Sequence, residues 1–210
     1  MSSDHKIFKK FKNILNSTFI EVGAHNGITQ SNTILLENIN DWTGILIEPS
    51  EILENELKYN RPNSIIEICA ISNFNGVISG DFNGQLMSSI EGKRWKEYYL
   101  LNNIEQPSIS VSCHTLTDIC KKHKLLNINF CSIDVEGNEY NVLEGIDFDT
   151  ININYFLIEI YEFDKDKIIN FMKNKGYEGE NFSNFSKTTH PNWDGTHQDY
   201  LFTKNNLLCQ

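Results

Sequence analysis

Short apolar runs alternate along the chain with stretches in which apolar residues recur every three or four positions. The first pattern predicts buried strands, and the second predicts helices that pack one face against them. The predicted strands cover residues 19–22, 45–49, 64–71, 109–113, 127–135, 153–160 and 198–203. The predicted helices cover residues 4–15, 31–40, 51–60, 114–123, 140–144 and 164–175. This alternation predicts an α/β fold with a doubly wound sheet.

The first 17 residues are predicted to form an N-terminal amphipathic helix, followed by a single domain that covers residues 18–210. A chain of 210 residues is long enough for one domain with a stable core. The apolar side chains of the helix share one face, opposite its lysines: Ile7, Phe8, Phe11, Ile14 and Leu15. A basic helix of this kind can also touch a membrane surface, but we favour packing on the domain as a lid.

Two stretches carry no regular pattern. Residues 73–107 contain four glycines and a basic-aromatic run, and we predict a mobile connection with one helix near residues 93–101. Long loops in compact domains often carry function. Trp95 or Tyr98 is therefore a candidate for stacking on a substrate ring, although covering the core is an equal alternative. A second polar and aromatic loop covers residues 182–193.

The strand at residues 19–22 runs through Gly23 and Gly27 into the helix that starts near Ser31. Glycine allows the backbone to turn sharply and a ligand to come close. The start of a helix presents unpaired N–H groups, and Ser31 or Asn32 can cap it. This corner therefore predicts an anion- or nucleotide-binding site, with an ordinary strand–turn–helix connection as the alternative.

The spacing of the corner differs from that of dinucleotide-binding proteins. Those proteins carry Gly-x-Gly-x-x-Gly, whereas this chain has Glu-x-Gly-x-x-x-Gly from Glu21 to Gly27. An acid two residues before the first glycine can accept a hydrogen bond from an ammonium group. This arrangement suits the amino-acid end of S-adenosylmethionine (SAM) better than a pyrophosphate.

Glu48 ends the second predicted strand, 25 residues after Gly23. A carboxylate at this place in a parallel sheet can accept hydrogen bonds from both hydroxyls of a ribose. A surface acid at a strand end is the alternative. The end of the third strand, at Ala70 and Ile71, is placed by topology to flank an adenine ring.

Three acids lie within six residues at the end of the strand at residues 127–135: Asp134, Glu136 and Glu139. Glu159 ends the neighbouring strand. Because ligands of open α/β sheets bind outside the carboxyl ends of the strands, this acidic turn is a candidate site.

The charge balance narrows the choice of partners. The chain has 28 acidic and 18 basic residues, a net charge of −10, and no long basic block. This composition argues against nucleic acid as a partner. It suits a soluble protein that handles neutral or cationic small molecules.

Cysteine usage and apolar segments bear on the compartment. The five cysteines lack Cys-x-x-Cys spacing, and an odd number without a metal pattern indicates a reducing compartment. The N-terminus lacks the apolar segment of a signal peptide, and no window of 18 apolar residues predicts a membrane span. The sequence therefore predicts a cytoplasmic protein.

Four segments of the chain resemble the FkbM-like family of SAM-dependent methyltransferases. They lie at residues 21–27, 47–49, 132–139 and 198–202. The resemblance extends from about residue 19 to residue 203, and its most specific part is Ile-Asp-Val-Glu-Gly-x-Glu in the acidic turn. The family more often has aspartate at the place of Glu21, and often at that of Asn26. Glu21 keeps the charge and Asn26 does not.

The resemblance implies a seven-strand class I methyltransferase fold, which is Rossmann-like, with strand order 3-2-1-4-5-7-6 and an antiparallel last strand. It implies SAM as the methyl donor. It also implies O-methylation, most often of a sugar or glycan hydroxyl and sometimes of a natural product. A sugar or glycan acceptor is then the expected partner, and a homo-oligomer is compatible with the sequence.

The glycine corner, the strand ends and the acidic turn together supply the expected site. The expected cofactor contacts are Glu21, Gly23, Ala24, His25, Gly27, Ser31, Asn32, Glu48, Pro49, Ala70, Ile71 and Asp134. The expected general base or acceptor-binding groups are Asp134, Glu136, Glu159 and His190. Catalysis with Mg²⁺ is an alternative, because carboxylates suit this hard ion and a metal lowers the pKa of a bound hydroxyl. The expected metal ligands are Asp134, Glu159 and Asp199.

Two other functions stay open at this point. A non-catalytic protein could keep the fold and serve as a partner of another enzyme, although the intact motif residues argue against such decay. A SAM-binding assay followed by a methyl-transfer assay separates these two functions. A nicotinamide-dependent oxidoreductase is the third hypothesis. The missing Gly-x-Gly-x-x-Gly argues against it, and a titration with NAD decides.

Overall fold

The computed structural model describes residues 3–86, 88–90, 99–188, 193 and 195–208. The strands are β1 (Thr18–Val22), β2 (Thr43–Ile47), β3 (Ile65–Glu67), β4 (Ala70–Ile71), β5 (Gly76–Gly80), β6 (Ile109–His114), β7 (Asn127–Ile133), β8 (Asn152–Tyr161), β9 (Tyr177–Asn181) and β10 (His197–Lys204). The helices are α1 (Ser3–Phe11), α2 (Ile34–Asn40), α3 (Glu54–Asn60), α4 (Leu116–Lys122), α5 (Glu139–Glu144) and α6 (Lys165–Asn174). Two 3₁₀ turns lie at Glu51–Leu53 and Asn205–Leu207.

Seven strands form one sheet in the order β3-β2-β1-β7-β8-β10-β9. Counted within this sheet alone, the order is 3-2-1-4-5-7-6, because β4, β5 and β6 form a separate three-stranded sheet. Strand β10 is antiparallel to both of its neighbours, and the other neighbouring pairs are parallel. The predicted doubly wound α/β class, strand order and antiparallel last strand are confirmed.

The central strands form here because most of their inner residues are apolar, as parallel strands covered on both faces require. Side chains alternate between the two faces of a strand, and this alternation divides the core into two clusters. Ile20 and Val22 of β1 pack with apolar residues of α4, α5 and α6. Phe19 packs on the other face with residues of α1, α2 and α3. The sheet is therefore buried between two layers of helices.

Helix α1 is part of the second of these layers. Ile7 and Phe11 are fully buried, and the Phe11 ring lies 5.7 Å from the Trp42 ring and 4.9 Å from the Tyr155 ring between centroids. The helix ends at Phe11, earlier than predicted, and Leu15 is exposed. No helix in the described part of the chain is long and apolar enough to cross a membrane.

Three strand predictions were wrong in detail. The single strand expected at residues 64–71 is divided into β3 and β4, and β4 pairs with β6 in the small sheet. The stretch expected as a mobile connection contains β5, which pairs antiparallel with β6. Strand β9 was missed because its Tyr-Glu-Gly-Glu-Asn sequence is mostly exposed at the sheet edge and has no apolar alternation. Of the helix expected near residues 93–101, only residues 99–101 are described, and they are helical; Trp95 and Tyr98 lie outside the described residues.

A buried arginine joins the end of α3 to the corner that follows β1. Arg61 is 1% exposed, and its guanidinium pairs with the carboxylate of Glu37 at 2.6 Å. Its Nη1 donates hydrogen bonds to the carbonyl of Gly27 at 3.0 Å and to Ser31 Oγ at 3.1 Å, while Nη2 donates to Thr33 Oγ1 at 2.9 Å. These contacts satisfy a charge that would be costly to bury alone.

Glu21 belongs to the same network, with its Oε2 3.8 Å from Arg61 Nη1. Its carboxylate accepts hydrogen bonds from the hydroxyls of Ser31 at 2.9 Å and Thr33 at 2.6 Å, and from the backbone N–H of Asn32 at 2.7 Å. Glu21 thus fixes the start of α2 to β1.

Replacing Arg61 with alanine should lower the free energy of unfolding by about 3–5 kcal/mol, because Glu21 and Glu37 would stay buried without a counter-charge. Urea unfolding measures this change. Lys58→Ala is the matched control on the adjoining helix α3, since Lys58 is exposed and pairs with the half-buried Glu54. It should change stability by no more than about 0.5 kcal/mol. Equal effects of the two substitutions would contradict the role of the network.

Candidate active site

A cleft opens at the carboxyl ends of β1, β2 and β7. Gly23 lies where these strand ends come closest. Its φ is +88°, and a Cβ at this position would lie 1.8 Å from the carbonyl oxygen of Asp134. The Gly23 N–H donates to the carbonyl of Ile47 at 2.9 Å. Glycine is therefore required here both for its backbone conformation and for the close approach of β1 to β7.

Glu48 forms the wall of the cleft beside β2. It is only 7% exposed, which is inconsistent with an ordinary surface acid. One carboxylate oxygen accepts a hydrogen bond from the backbone N–H of His25 at 2.9 Å, and the other accepts one from the N–H of Ser50 at 3.0 Å. Burial raises the pKa of Glu48, and the two backbone N–H groups oppose this effect. The carboxylate is thus held in one orientation along the cleft.

The remaining walls are an apolar surface and a covering segment. Cys69, Ala70 and Ile71 supply buried apolar surface at β4. The covering segment supplies Phe82, Gln85, Leu86, Ser88, Ser89 and Ile90 to the lining of the cleft. This segment is fixed at its ends, since Ser89 N–H donates to the carboxylate of Asp81 at 2.6 Å. The sequence marked residues 73–107 as a candidate functional loop, but it did not place this segment on the cleft because its polar residues carry no periodic signal.

Five of the expected cofactor contacts lie outside this cleft: Glu21, Ala24, Gly27, Ser31 and Asn32. Glu21 projects from the opposite face of β1 to Ile20 and Val22, towards the buried Arg61. Ser31 and Asn32 bind its carboxylate. The other expected contacts line the cleft: Gly23, His25, Glu48, Pro49, Ala70, Ile71 and Asp134.

Gly27 and Ala24 also face away from the cleft. A Cβ on Gly27 would lie 2.7 Å from side-chain atoms of Leu57 and Arg61, so this glycine allows α3 to approach. Ala24 is buried in the cluster on the α1–α3 side of the sheet. The sequence pattern identified the corner, but these two residues serve its packing.

Three carboxylates converge beside the cleft. Asp134 follows β7, Glu139 begins α5, and Glu159 lies near the end of β8; each offers an oxygen within 4.8 Å of the other two. Glu139 accepts hydrogen bonds from the backbone N–H groups of Val135 at 3.1 Å and Gly137 at 3.0 Å. The acidic turn is thereby folded back on itself, and Glu139 faces inwards.

Burial and mutual repulsion raise the pKa values of these acids. The pKa values of Asp134 and Glu159 are raised well above their usual range, first by burial and then by neighbouring acids, which include Glu136 and Asp199. Burial raises the pKa of Glu139 to about 7. Such a cluster can hold protons at neutral pH or bind a cation.

The expected catalytic residues are only partly brought together. Asp134 and Glu136 line the cleft, and Glu159 lies beside Asp134. His190 lies outside the described residues. Of the expected metal ligands, Asp134 and Glu159 meet, but Glu139 takes the third place that was expected for Asp199. Glu139 was part of the Ile-Asp-Val-Glu-Gly-x-Glu segment. The direction of its side chain, towards Asp134 and Glu159, depends on the fold of the turn and could not be predicted from the segment.

A second cleft adjoins the first. The two share Ser89, Ile90 and Glu136. The rings of Tyr161 and Phe163 are stacked in its wall, with centroids 5.5 Å apart and planes 25° apart. Tyr161 Oη donates a hydrogen bond to Glu136 Oε2 at 2.6 Å. Glu136 has a left-handed backbone, with φ of +57°, and this conformation places it between the two clefts.

Comparison with known proteins gives one family match. The family described as the methyltransferase FkbM domain matches residues 21–178. No curated protein sequence matches the chain.

Solved structures with the same fold include three methyltransferases. The FkbM methyltransferase of Methylobacillus flagellatus KT has 13% identity and a TM-score of 0.53; the match covers 89% of this chain and 43% of that one. TrmK of M. capricolum, in complex with S-adenosyl-homocysteine (SAH), has 12% identity and a TM-score of 0.53, with coverage of 96% and 68%. The N-terminal domain of human METTL16 has 12% identity and a TM-score of 0.51, with coverage of 96% and 67%. This chain spans less than half of the FkbM structure.

The raised pKa of Glu139 should make stability fall as the pH rises from about 4.5 to 7. In this window the folded protein keeps a proton that the unfolded chain has lost, so folding is favoured at the lower pH. Wild type should lose roughly 3 kcal/mol across the window relative to Glu139→Gln. Urea unfolding in EDTA at several pH values measures the difference.

Glu178→Gln is the control for this measurement, because Glu178 is exposed on β9. Its stability profile should run parallel to that of wild type. A Glu139→Gln profile that is also parallel to wild type would show that Glu139 titrates normally in the folded protein.

Proposed function

The chain belongs to the family of FkbM methyltransferase domains, and on this premise we propose that it is a SAM-dependent O-methyltransferase that acts on a hydroxyl group of a sugar or glycan. The observation that carries the proposal is the meeting of two clefts at the acidic turn. Asp134 lines the first cleft, and Glu136 lines both. A donor and an acceptor can therefore reach the same carboxylates from separate sides.

The residues of the first cleft fit SAM. The fixed carboxylate of Glu48 accepts hydrogen bonds from the ribose hydroxyls, since each of its oxygens has one backbone donor and room for another. Ala70 and Ile71 supply an apolar surface for the adenine ring. Because Gly23 has no side chain, the ligand can come close to the backbone at the end of β1. His25 adds a buried Nδ1 that has no hydrogen-bond partner within the described part of the chain.

When bound, SAM supplies a methyl group whose bond to the sulfonium sulfur breaks as the acceptor oxygen bonds to the methyl carbon, while the hydroxyl proton passes to a base. Asp134 is the base in this proposal. In its ionised form, a carboxylate whose pKa is raised is a stronger base than an ordinary one. Positioning of the acceptor can contribute roughly 7–11 kcal/mol. Glu136, held by Tyr161, orients the acceptor hydroxyl.

The second cleft suits a sugar ring. Phe163 is 72% exposed and stacks on Tyr161, and an exposed aromatic surface of this kind is typical of a binding site. Asn138 and Asn141 add amide groups to the same wall. Ligand sites commonly combine apolar surface with a few such polar groups, and the apolar ring face and hydroxyls of a sugar match both.

Replacing Glu48 with glutamine should weaken the binding of SAH by about 2 kcal/mol, because charge-assisted hydrogen bonds to the ribose would be lost. Isothermal titration calorimetry measures the affinity. Glu51→Gln is the control, since Glu51 is exposed in the neighbouring 3₁₀ turn, and it should bind SAH as wild type does. Unchanged affinity of the Glu48 variant would remove Glu48 from the cofactor site.

A methyl-transfer assay with labelled SAM and a panel of glycans tests the acceptor class. Wild type should label at least one glycan, and Asp134→Asn should lower turnover by about 10²-fold or more while it still binds SAH. Labelling of a non-carbohydrate hydroxyl alone would contradict the sugar assignment. Near-normal turnover of the variant would contradict the role of Asp134 as base.

A further inference from the structure

We propose that Asp134, Glu139 and Glu159 bind one hard divalent cation, of the Mg²⁺ or Mn²⁺ class, beside the first cleft. The three carboxylates come from different elements: the end of β7, the start of α5 and the end of β8. Each offers an oxygen within 4.8 Å of the other two. This cation site goes beyond the proposed methyl transfer, because cation binding can be measured without the methyl donor or the methyl acceptor.

The spacing of the oxygens suits such an ion. Oxygens that share one Mg²⁺ at 2.0–2.1 Å lie up to about 4.2 Å apart, and those around a larger Ca²⁺ lie up to about 5 Å apart. The three carboxylates are already near this range, so small rotations of their side chains complete the site. Three protein oxygens leave the other positions of the coordination shell for water or for an acceptor hydroxyl.

The buried carboxylate of Glu159 is only partly satisfied by hydrogen bonds. It is 9% exposed, and its Oε2 is buried without a hydrogen-bond donor among the described residues. A buried carboxylate oxygen without a partner is costly, and most such groups in proteins are satisfied. Its other oxygen lies 3.3 Å from His197 Nε2. The unsatisfied oxygen belongs to the carboxylate that converges on Asp134 and Glu139.

The charge of the surroundings also favours a cation. Glu136 and Asp199 add negative charge to that of the three proposed ligands. A divalent cation bound by the three carboxylates would displace the protons that they hold and would neutralise two negative charges. Glu139 is also well prepared as a ligand, since one of its oxygens is fixed by the N–H groups of Val135 and Gly137.

Binding of Mn²⁺ to the full chain tests the proposal. The protein is treated with EDTA and dialysed, and the electron paramagnetic resonance signal of free Mn²⁺ is followed during titration. Wild type should bind one Mn²⁺ per chain with a Kd of about 1 mM or tighter, and Mg²⁺ should displace it. Glu159→Gln should weaken binding at least about tenfold, whereas Glu178→Gln, an exposed acid of β9, should bind as wild type does.

Thermal melting provides the second readout. A ligand that binds only the folded state raises the melting temperature, so Mg²⁺ should stabilise wild type and Glu178→Gln but not Glu159→Gln. Should Glu159→Gln fail to fold, Asp134→Asn takes its place in both measurements. The proposal is overturned when wild type binds no Mn²⁺ at about 10 mM, or when both Asp134→Asn and Glu159→Gln bind it as wild type does.

Discussion

Arg61 is the buried charge around which the corner after β1 is built. Its guanidinium contacts Glu37, the carbonyl of Gly27 and two hydroxyls of the corner, and it faces Glu21 on β1. A buried ion pair stabilises a fold only where every donor is satisfied, and these contacts provide that condition. The corner also carries His25, whose N–H fixes the carboxylate of Glu48. The network therefore supports the wall of the cleft without lining it.

The close approach of β1 and β7 determines the chemistry of the cleft. Gly23 lies against the carbonyl of Asp134, where any side chain would collide. This approach places the acidic turn at the edge of the cleft, and the N–H bonds to Glu139 fold the turn inwards. Several carboxylates are then buried together, and their pKa values rise. A site of this kind is suited to a cationic ligand, to a proton or to a metal ion.

The fold is shared with methyltransferases at 12–13% identity, so the fold alone does not indicate which molecule is methylated. The second cleft is the feature that bears on the acceptor. Tyr161 and Phe163 form its aromatic wall, and the hydroxyl of Tyr161 donates a hydrogen bond to Glu136. Glu136 adopts a backbone conformation that is uncommon outside glycine, and such conformations often occur at functional sites. The position of Glu136 between the clefts is consistent with this general rule.

The sequence by itself determined the central strands, because β1, β2, β7 and β8 are buried on both faces and must be apolar almost throughout. It also determined that Glu48, Asp134 and Glu159 end strands, and the family resemblance supplied the strand order. Only the tertiary structure decided which way the acids face. Glu21 turns towards Arg61, which lies 40 residues further along the chain, because side chains alternate across a strand and the opposite face carries that helix layer. A left-handed turn directs Glu139 towards Asp134 and Glu159. Phe82, Ser89 and Ile90 line the cleft after a strand of the small second sheet. Neither placement leaves a periodic signal in the sequence.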